Sequence, residues 1–255
     1  MGTSKGYQAP RGGDWTDLKR EATQFAKPGS RQSASDVSGL LGSFIRAHGG
    51  AKGWASGGGS GGTGGTGGNA AIGHAARTTG RRLGGFLTGV GAGGLGQALE
   101  DMGLADLAGL SASDISGALL DKLAGPASTL DGAAVRAALA ALLLELFGAA
   151  TTIEAMEQLL TTVLNAQGVV KVVTRFFALY LYEYFCRFFY EAWSKKVGEA
   201  QANRSLRSVK DVIDSGLRAK LATRDVRRFN WDGPEGQQLA QAVLQDTLDI
   251  FGGST

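Results

Sequence analysis

The chain has 255 residues, one cysteine, 41 glycines and a formal net charge of +3. This length suffices for one or two domains with one sizeable hydrophobic core. A single cysteine cannot form an internal disulfide, so we expect no need for an oxidising compartment and place the chain in the cytoplasm. The first six residues lack the apolar region of a secretory signal, and the most apolar segment, 169–193, is interrupted by charged residues, which argues against a membrane span.

The first 68 residues predict three parts. Residues 1–13 contain five glycines or prolines and no apolar periodicity, which predicts an irregular tail. Residues 14–48 form a short N-terminal arm of two helices, which start at Asp14 and at Ser35. Residues 49–68 are mostly glycine, serine and threonine, which predicts a flexible linker.

Residues 69–255 predict an all-α, bundle-like body. Capping-box patterns that start at Ser111, Ser128 and Thr151 precede apolar runs and indicate helix starts. No segment alternates apolar and polar residues over a sustained run, so we expect essentially no sheet. Aromatic residues surround most of the segment 169–197, which is typical of a buried central helix. The predicted helices are 70–88, 94–102, 112–124, 129–148, 152–166, 169–197, 203–222 and 234–251.

Glycines in the region 85–94 suggest close packing of helices. Gly85, Gly89 and Gly93 recur every four residues, so one helix face would be bare backbone against which another helix can pack. Gly89, Gly91 and Gly94 also match the G-x-G-x-x-G dinucleotide fingerprint. We reject nucleotide binding by this route because the fingerprint requires a preceding strand, which the sequence does not predict.

The sequence predicts no catalytic residues, no cofactor and no metal site. Its histidines and its cysteine lack the spacing of metal ligands. His48 and His74 adjoin glycine-rich sequence and are expected to be exposed. Cys186 lies among aromatic residues, where burial raises the pKa of a thiol and makes it unreactive.

Charge is distributed unevenly along the chain. Residues 99–165 carry nine acids and two bases, whereas residues 195–228 carry ten bases and four acids. Nucleic-acid binding is one interpretation of the basic part, but interleaved acids and the lack of a recognisable nucleic-acid fold favour docking onto an acidic protein surface, or simple solvation. The residues predicted to contribute to electrostatic docking are Arg204, Arg207, Lys210, Arg224, Arg227 and Arg228.

The N-terminus itself has a chemical use. Removal of Met1 would leave Gly2 with an unhindered α-amine, whose ordinary pKa of about 8 lets it act as an acceptor in acyl transfer. Taken alone, this pattern is weak evidence, because many proteins begin with Met-Gly and an ordinary flexible terminus explains it better.

Several features together resemble the QatB family, the small component of the four-gene bacterial Qat anti-phage defence system. These features are the opening residues 1–7, the glycine linker, and the segments 81–87 and 180–187 of the helical remainder. The resemblance implies a partner, a QueC-like enzyme of the QatC type, which would use ATP to activate the carboxylate of a 7-deazaguanine precursor. The system's ATPase and its TatD-like nuclease are further partners that the resemblance implies.

The resemblance also implies a role for the tail. Gly2 would accept the deazaguanine group, and the enzyme's active site would bind the residues Gly2, Thr3, Ser4, Lys5, Gly6 and Tyr7. We therefore expect a non-enzymatic protein whose helical body docks the enzyme and whose terminus is modified. Two alternatives remain open at this point: a structural adaptor that is never modified, and a nucleic-acid-binding helical module.

Overall fold

A computed structural model describes residues 13–56, 72–104, 111–221, 231 and 233–252. Within these residues the chain forms nine α-helices and no strand, which confirms the all-α prediction. In chain order they are α1 (Gly13–Phe25), α2 (Ala34–Ala47), α3 (Gly50–Ser56), α4 (His74–Asp101), α5 (Ala112–Ala124), α6 (Leu130–Phe147), α7 (Ile153–Val197), α8 (Glu199–Leu221) and α9 (Pro234–Gly252).

Side-chain caps explain where several helices begin. Ser111 and Asp114 form the capping box that the sequence predicts at the start of α5. The starts of α6 and α7 lie one residue later than predicted, because Thr129 and Thr152 supply the capping oxygens. Helix α2 begins one residue earlier than expected, at Ala34, and Ser33 provides its capping box.

Glycines interrupt the two long helices. Gly94 in α4 has φ 84° and Gly168 in α7 has φ 75°, a backbone region that favours glycine. The break at Gly168 agrees with the two helices predicted on either side of it. In α4 the helix continues through 89–93 and breaks only at Gly94.

Helix α7 is the central helix, as the sequence predicts. It packs against α4, α6, α8 and α9. Its aromatic side chains at Phe176, Phe177, Tyr180 and Phe185 have no exposed surface. Burial of several such side chains, each contributing about 1.5–3 kcal/mol, makes this helix the main source of hydrophobic stabilisation.

The N-terminal helices share the core of the body. Phe44 in α2 lies 5.1 Å from Phe185 in α7, measured between ring centroids. Helices α2 and α3 both pack against α9. The buried side chains of α1 to α9 form one hydrophobic cluster, so the arm and the body are parts of one packed unit.

The segment predicted as a linker contains a helix at its start. Residues 50–56 form α3, and Trp54, to which the sequence assigned no role, has no exposed surface. The remaining linker residues, 57–68, lie outside the described residues. Burial of one indole outweighs the low helix propensity of its glycine-rich surroundings.

The residues that precede and follow the segment 57–71 are in contact with each other. Gly73 is so close to the carbonyl oxygen of Trp54 that a Cβ atom at position 73 would overlap it. The guanidinium of Arg77 also donates a hydrogen bond to this oxygen, at 2.7 Å. The chain therefore returns after residue 71 to the point at which it left α3.

Candidate functional site

The residues implied by the family resemblance fall outside the described part of the chain. Gly2, Thr3, Ser4, Lys5, Gly6 and Tyr7 all precede Gly13, the first described residue. Arg224, Arg227 and Arg228 are likewise outside it. Their roles stay predictions, and the structure describes the surfaces beside them.

The point where the N-terminal tail joins the body is firmly packed. Trp15, only two residues after Gly13, is 6% exposed. Its ring stacks on Phe188 of α7 at 5.4 Å and meets the ring of His48 edge-on at 4.5 Å. Helix α1 is therefore anchored to α7 and to the end of α2 from its first turn.

His48 is buried, so the prediction that it is exposed was wrong. It is 6% exposed, and aromatic rings of Trp15, Phe44, Trp54 and Phe188 surround it. Burial lowers its pKa to about 4, although its hydrogen bond to the Phe44 carbonyl opposes this shift. A neutral ring in an apolar cluster is a packing residue.

The other two reactive side chains behave as predicted. His74 is exposed at the first residue of α4. Burial raises the pKa of the Cys186 thiol to about 12. At neutral pH this thiol stays protonated and is a poor nucleophile.

A buried polar cluster that sequence reasoning missed holds the start of α4. Asp131 is 6% exposed and accepts hydrogen bonds from the backbone amides of Gly73, at 3.1 Å, and Ala75, at 2.9 Å. The hydroxyl of Tyr180 also donates to Asp131, at 2.5 Å. Asp131 thus caps α4 from a different helix, α6. The capping pattern identified this residue only as part of a helix start.

Charges within this cluster are mutually compensated. Burial is the main reason that the pKa of Tyr180 lies well above its usual value, and the neighbouring Asp131 carboxylate adds to the rise. The phenol therefore stays protonated and can donate. Burial lowers the pKa of Arg77, and Asp131 opposes that change. The cluster fixes the junction between Trp54 and Gly73 and leaves no free acid or base for catalysis.

Helix α8 brings together three of the predicted docking residues. Arg204 and Arg207 are exposed and, within the described residues, form no ion pair. Arg204 donates two hydrogen bonds to the side-chain oxygen of Gln201. Lys210 is less available for a partner's acidic groups, because its Nζ lies 3.9 Å from Oδ2 of Asp214.

An apolar groove of about 330 Å³ lies between α5 and α6. Small residues on α5 line one side of the groove, among them Ser113, Ser116 and Gly117. On the other side Leu144 of α6 is 71% exposed. Leu144 is thus an exposed apolar side chain at the edge of the groove, although single exposed apolar residues are common on protein surfaces.

Two further observations concern the described residues alone. They contain no group of three or more His, Cys, Asp or Glu side chains that could hold a metal ion. None of the helices formed by these residues is long and apolar enough to cross a membrane.

Comparison with known proteins gives one match. The sequence model of the family described as "Qat anti-phage system associated protein QatB" matches residues 64–251, about three quarters of the chain. No curated protein and no solved structure matches the sequence. The match covers α4 to α9 almost completely, including the central helix α7. The chain therefore belongs to the QatB family of proteins associated with the Qat anti-phage system.

Proposed function

We propose that this chain is a substrate and binding partner of a QueC-like enzyme within the Qat system. After removal of Met1, the enzyme attaches a 7-deazaguanine derivative to the α-amine of Gly2. The observation that carries the proposal is an opening Met-Gly placed eleven residues ahead of the first helix of a QatB-family chain. The chain is the acceptor in this reaction, and the catalytic groups belong to the enzyme.

The transfer is an ordinary acyl transfer. The Gly2 nitrogen attacks the carboxyl carbon of the deazaguanine precursor, which the enzyme has activated with ATP. A carbon–nitrogen bond forms, the bond to the activating phosphate breaks, and the amine loses a proton. Glycine suits this role because no side chain obstructs the approach of its amine.

The packed fold limits how far Gly2 can reach. From Gly2 to Gly13 the chain has eleven residue steps, which span at most ~40 Å when fully extended. The helices α1 to α3 pack on the body, and Trp54 and Gly73, which flank the segment 57–71, are in contact. The length of the glycine-rich segment therefore does not extend the reach of Gly2. The active site of the enzyme must lie within ~40 Å of Gly13.

Two described surfaces support a docking role for the body. Arg204 and Arg207 on α8 offer positive charge without an acidic partner among the described residues. Leu144 presents an exposed apolar side chain beside the groove between α5 and α6. We assign Lys210, Arg224, Arg227 and Arg228 to the same electrostatic contact as Arg204 and Arg207.

Mass spectrometry tests the acceptor assignment. The chain is co-expressed with the QueC-like enzyme, and its intact mass and N-terminal peptide are measured. We expect an adduct on the peptide that begins with Gly2, and its loss in Gly2→Val, because the branched side chain obstructs the amine. Gly12→Val is the matched control and should keep the adduct.

Two outcomes would contradict the proposal: an unmodified wild-type peptide, or an adduct that persists in Gly2→Val. The alternative of an unmodified structural adaptor predicts that removal of residues 2–6 leaves phage protection intact. The proposed function predicts that the same deletion abolishes protection.

A further inference from the structure

A cleft between α6, α7 and α8 is separate from both surfaces assigned above. It has a volume of about 360 Å³ and follows the bend of α7 at Gly168, with Gln167 before the bend and Lys171 after it. This volume lies within the range of pockets that bind small organic molecules. Its apolar wall is formed by Leu142, Leu146, Val163, Val172 and Leu217.

The acids of the cleft are already engaged by one arginine. Arg175 donates to both carboxylate oxygens of Glu145, at 2.9 Å and 2.6 Å, and also to Asp214. These contacts raise the pKa of Arg175, chiefly through the hydrogen bonds that it donates to Glu145. Asp214 also lies 3.9 Å from Nζ of Lys210, so both acids are engaged by cations other than Lys171 and Arg218.

Two cations in the cleft have no acidic partner. Lys171 precedes Arg175 by one helical turn on α7, and Arg218 follows Asp214 by one turn on α8. Both line the cleft. Neither forms an ion pair within 4 Å in the described part of the chain. The five charged lining residues carry three positive and two negative charges, so the cleft keeps a net charge of +1.

From this arrangement we propose that the cleft binds a small organic anion of nucleotide size. Lys171 and Arg218 hold its phosphate or carboxylate, and its ring lies against the apolar wall. The ion pairs of Arg175 keep α6, α7 and α8 in place around it. The helices that carry the two cations, α7 and α8, pack against each other, so their backbones need not rearrange when the anion binds. This inference does not depend on modification of Gly2.

Titration calorimetry with adenosine 5′-monophosphate tests the proposal on the full-length chain. We expect saturable binding that weakens as salt is added, because the charges are partly exposed. Adenosine, which lacks the charge, and inorganic phosphate, which lacks the apolar body, should each bind about tenfold more weakly or not at all. The double variant K171Q/R218Q should lose about tenfold or more in affinity for the nucleotide, since two charge-assisted contacts are removed.

The control is R204Q/R207Q, which removes two exposed cations of α8 that do not line the cleft. It should bind the nucleotide like the unsubstituted chain. Circular dichroism establishes that both variants keep their helices. Absence of saturable nucleotide binding, or equal affinity in K171Q/R218Q and the control, would overturn the proposal.

Discussion

Among single residues, His48 has the clearest effect on stability. Its pKa falls from an ordinary 6.5 to about 4 because the ring is buried. Between these pH values the unfolded chain binds a proton that the folded chain does not. The free energy of unfolding should therefore be unaffected above pH 6.5 and should fall by about 3 kcal/mol as the pH decreases to 4.

Urea denaturation at several pH values measures this effect. His48→Phe should show a flatter profile between pH 6.5 and 4, because the group that binds the proton on unfolding is gone. His74, the other histidine, is exposed, so His74→Gln should keep the slope of the unsubstituted chain. A profile that His48→Phe leaves unchanged would show that burial of this ring does not control the acid sensitivity.

Sequence reasoning failed at His48 and Trp54 for the same reason. Both lie within or beside glycine-rich sequence, from which we expected an exposed His48 and a flexible linker around Trp54. Their burial depends on Phe44 and on α7 residues more than 120 positions away, such as Tyr184. Cys186 was assigned correctly because its aromatic neighbours lie on its own helix.

Within elements, α4 approaches its neighbours closely at Gly80 and Gly84, whereas two of the predicted glycines, Gly89 and Gly93, contact no other helix closely. A Cβ atom at position 80 would lie 2.5 Å from the ring of Phe177, and one at position 84 would overlap the ring of Trp231. A Cβ atom at position 89 would lie 3.5 Å from the Cβ of Ala98, and one at position 93 would lie 3.2 Å from the Cγ of Gln97. Both neighbours belong to α4 itself. The spacing indicated a bare face but could not show which face a large aromatic ring covers.

Substitution of two α4 glycines should therefore have opposite effects. Gly84→Ala should lower the free energy of unfolding by about 1–3 kcal/mol, because the methyl group overlaps Trp231 and forces repacking. Gly91→Ala should raise it by about 0.5–1 kcal/mol, because nothing lies within 4 Å and alanine restricts the unfolded chain. Thermal and urea denaturation of both variants make the comparison. Equal destabilisation by the two substitutions would exclude this packing.

Helix boundaries were predicted best where capping residues and breaks are local. The bounds of α5 agree with the prediction, and those of α6, α7 and α9 differ from it by at most one residue at each end. Helix α3 was missed because its two glycines, Gly50 and Gly53, and their glycine-rich continuation conceal it. Packing on α2, α4 and above all α9 stabilises this short helix. Local sequence thus predicts helices with good caps and apolar periodicity, but not one that depends on tertiary contacts.

At the scale of the whole molecule, the N-terminal helices belong to the packed body and are not a separate arm. Composition suggested an arm separated from the body by a linker, since nothing in the sequence shows that Trp54 and Gly73 meet. The structure packs α1 to α3 on the same core as α7 to α9. If Gly2 is the acceptor, as we propose, its reach is set by the length of residues 2–12.

Two deletions of equal length test this point. Removal of residues 8–12 shortens the maximum span from Gly2 to Gly13 from ~40 Å to ~22 Å, so we expect less than half of the wild-type adduct when the QueC-like enzyme is co-expressed. Removal of residues 58–62 shortens only the segment between Trp54 and Gly73, which are already in contact. This deletion should leave the modified fraction unchanged. Intact mass gives the modified fraction for each chain. The opposite result, in which deletion of 58–62 abolishes modification and deletion of 8–12 does not, would contradict this proposal. The glycine-rich segment would then control the reach of Gly2, and α1 to α3 would have to separate from the body during the reaction.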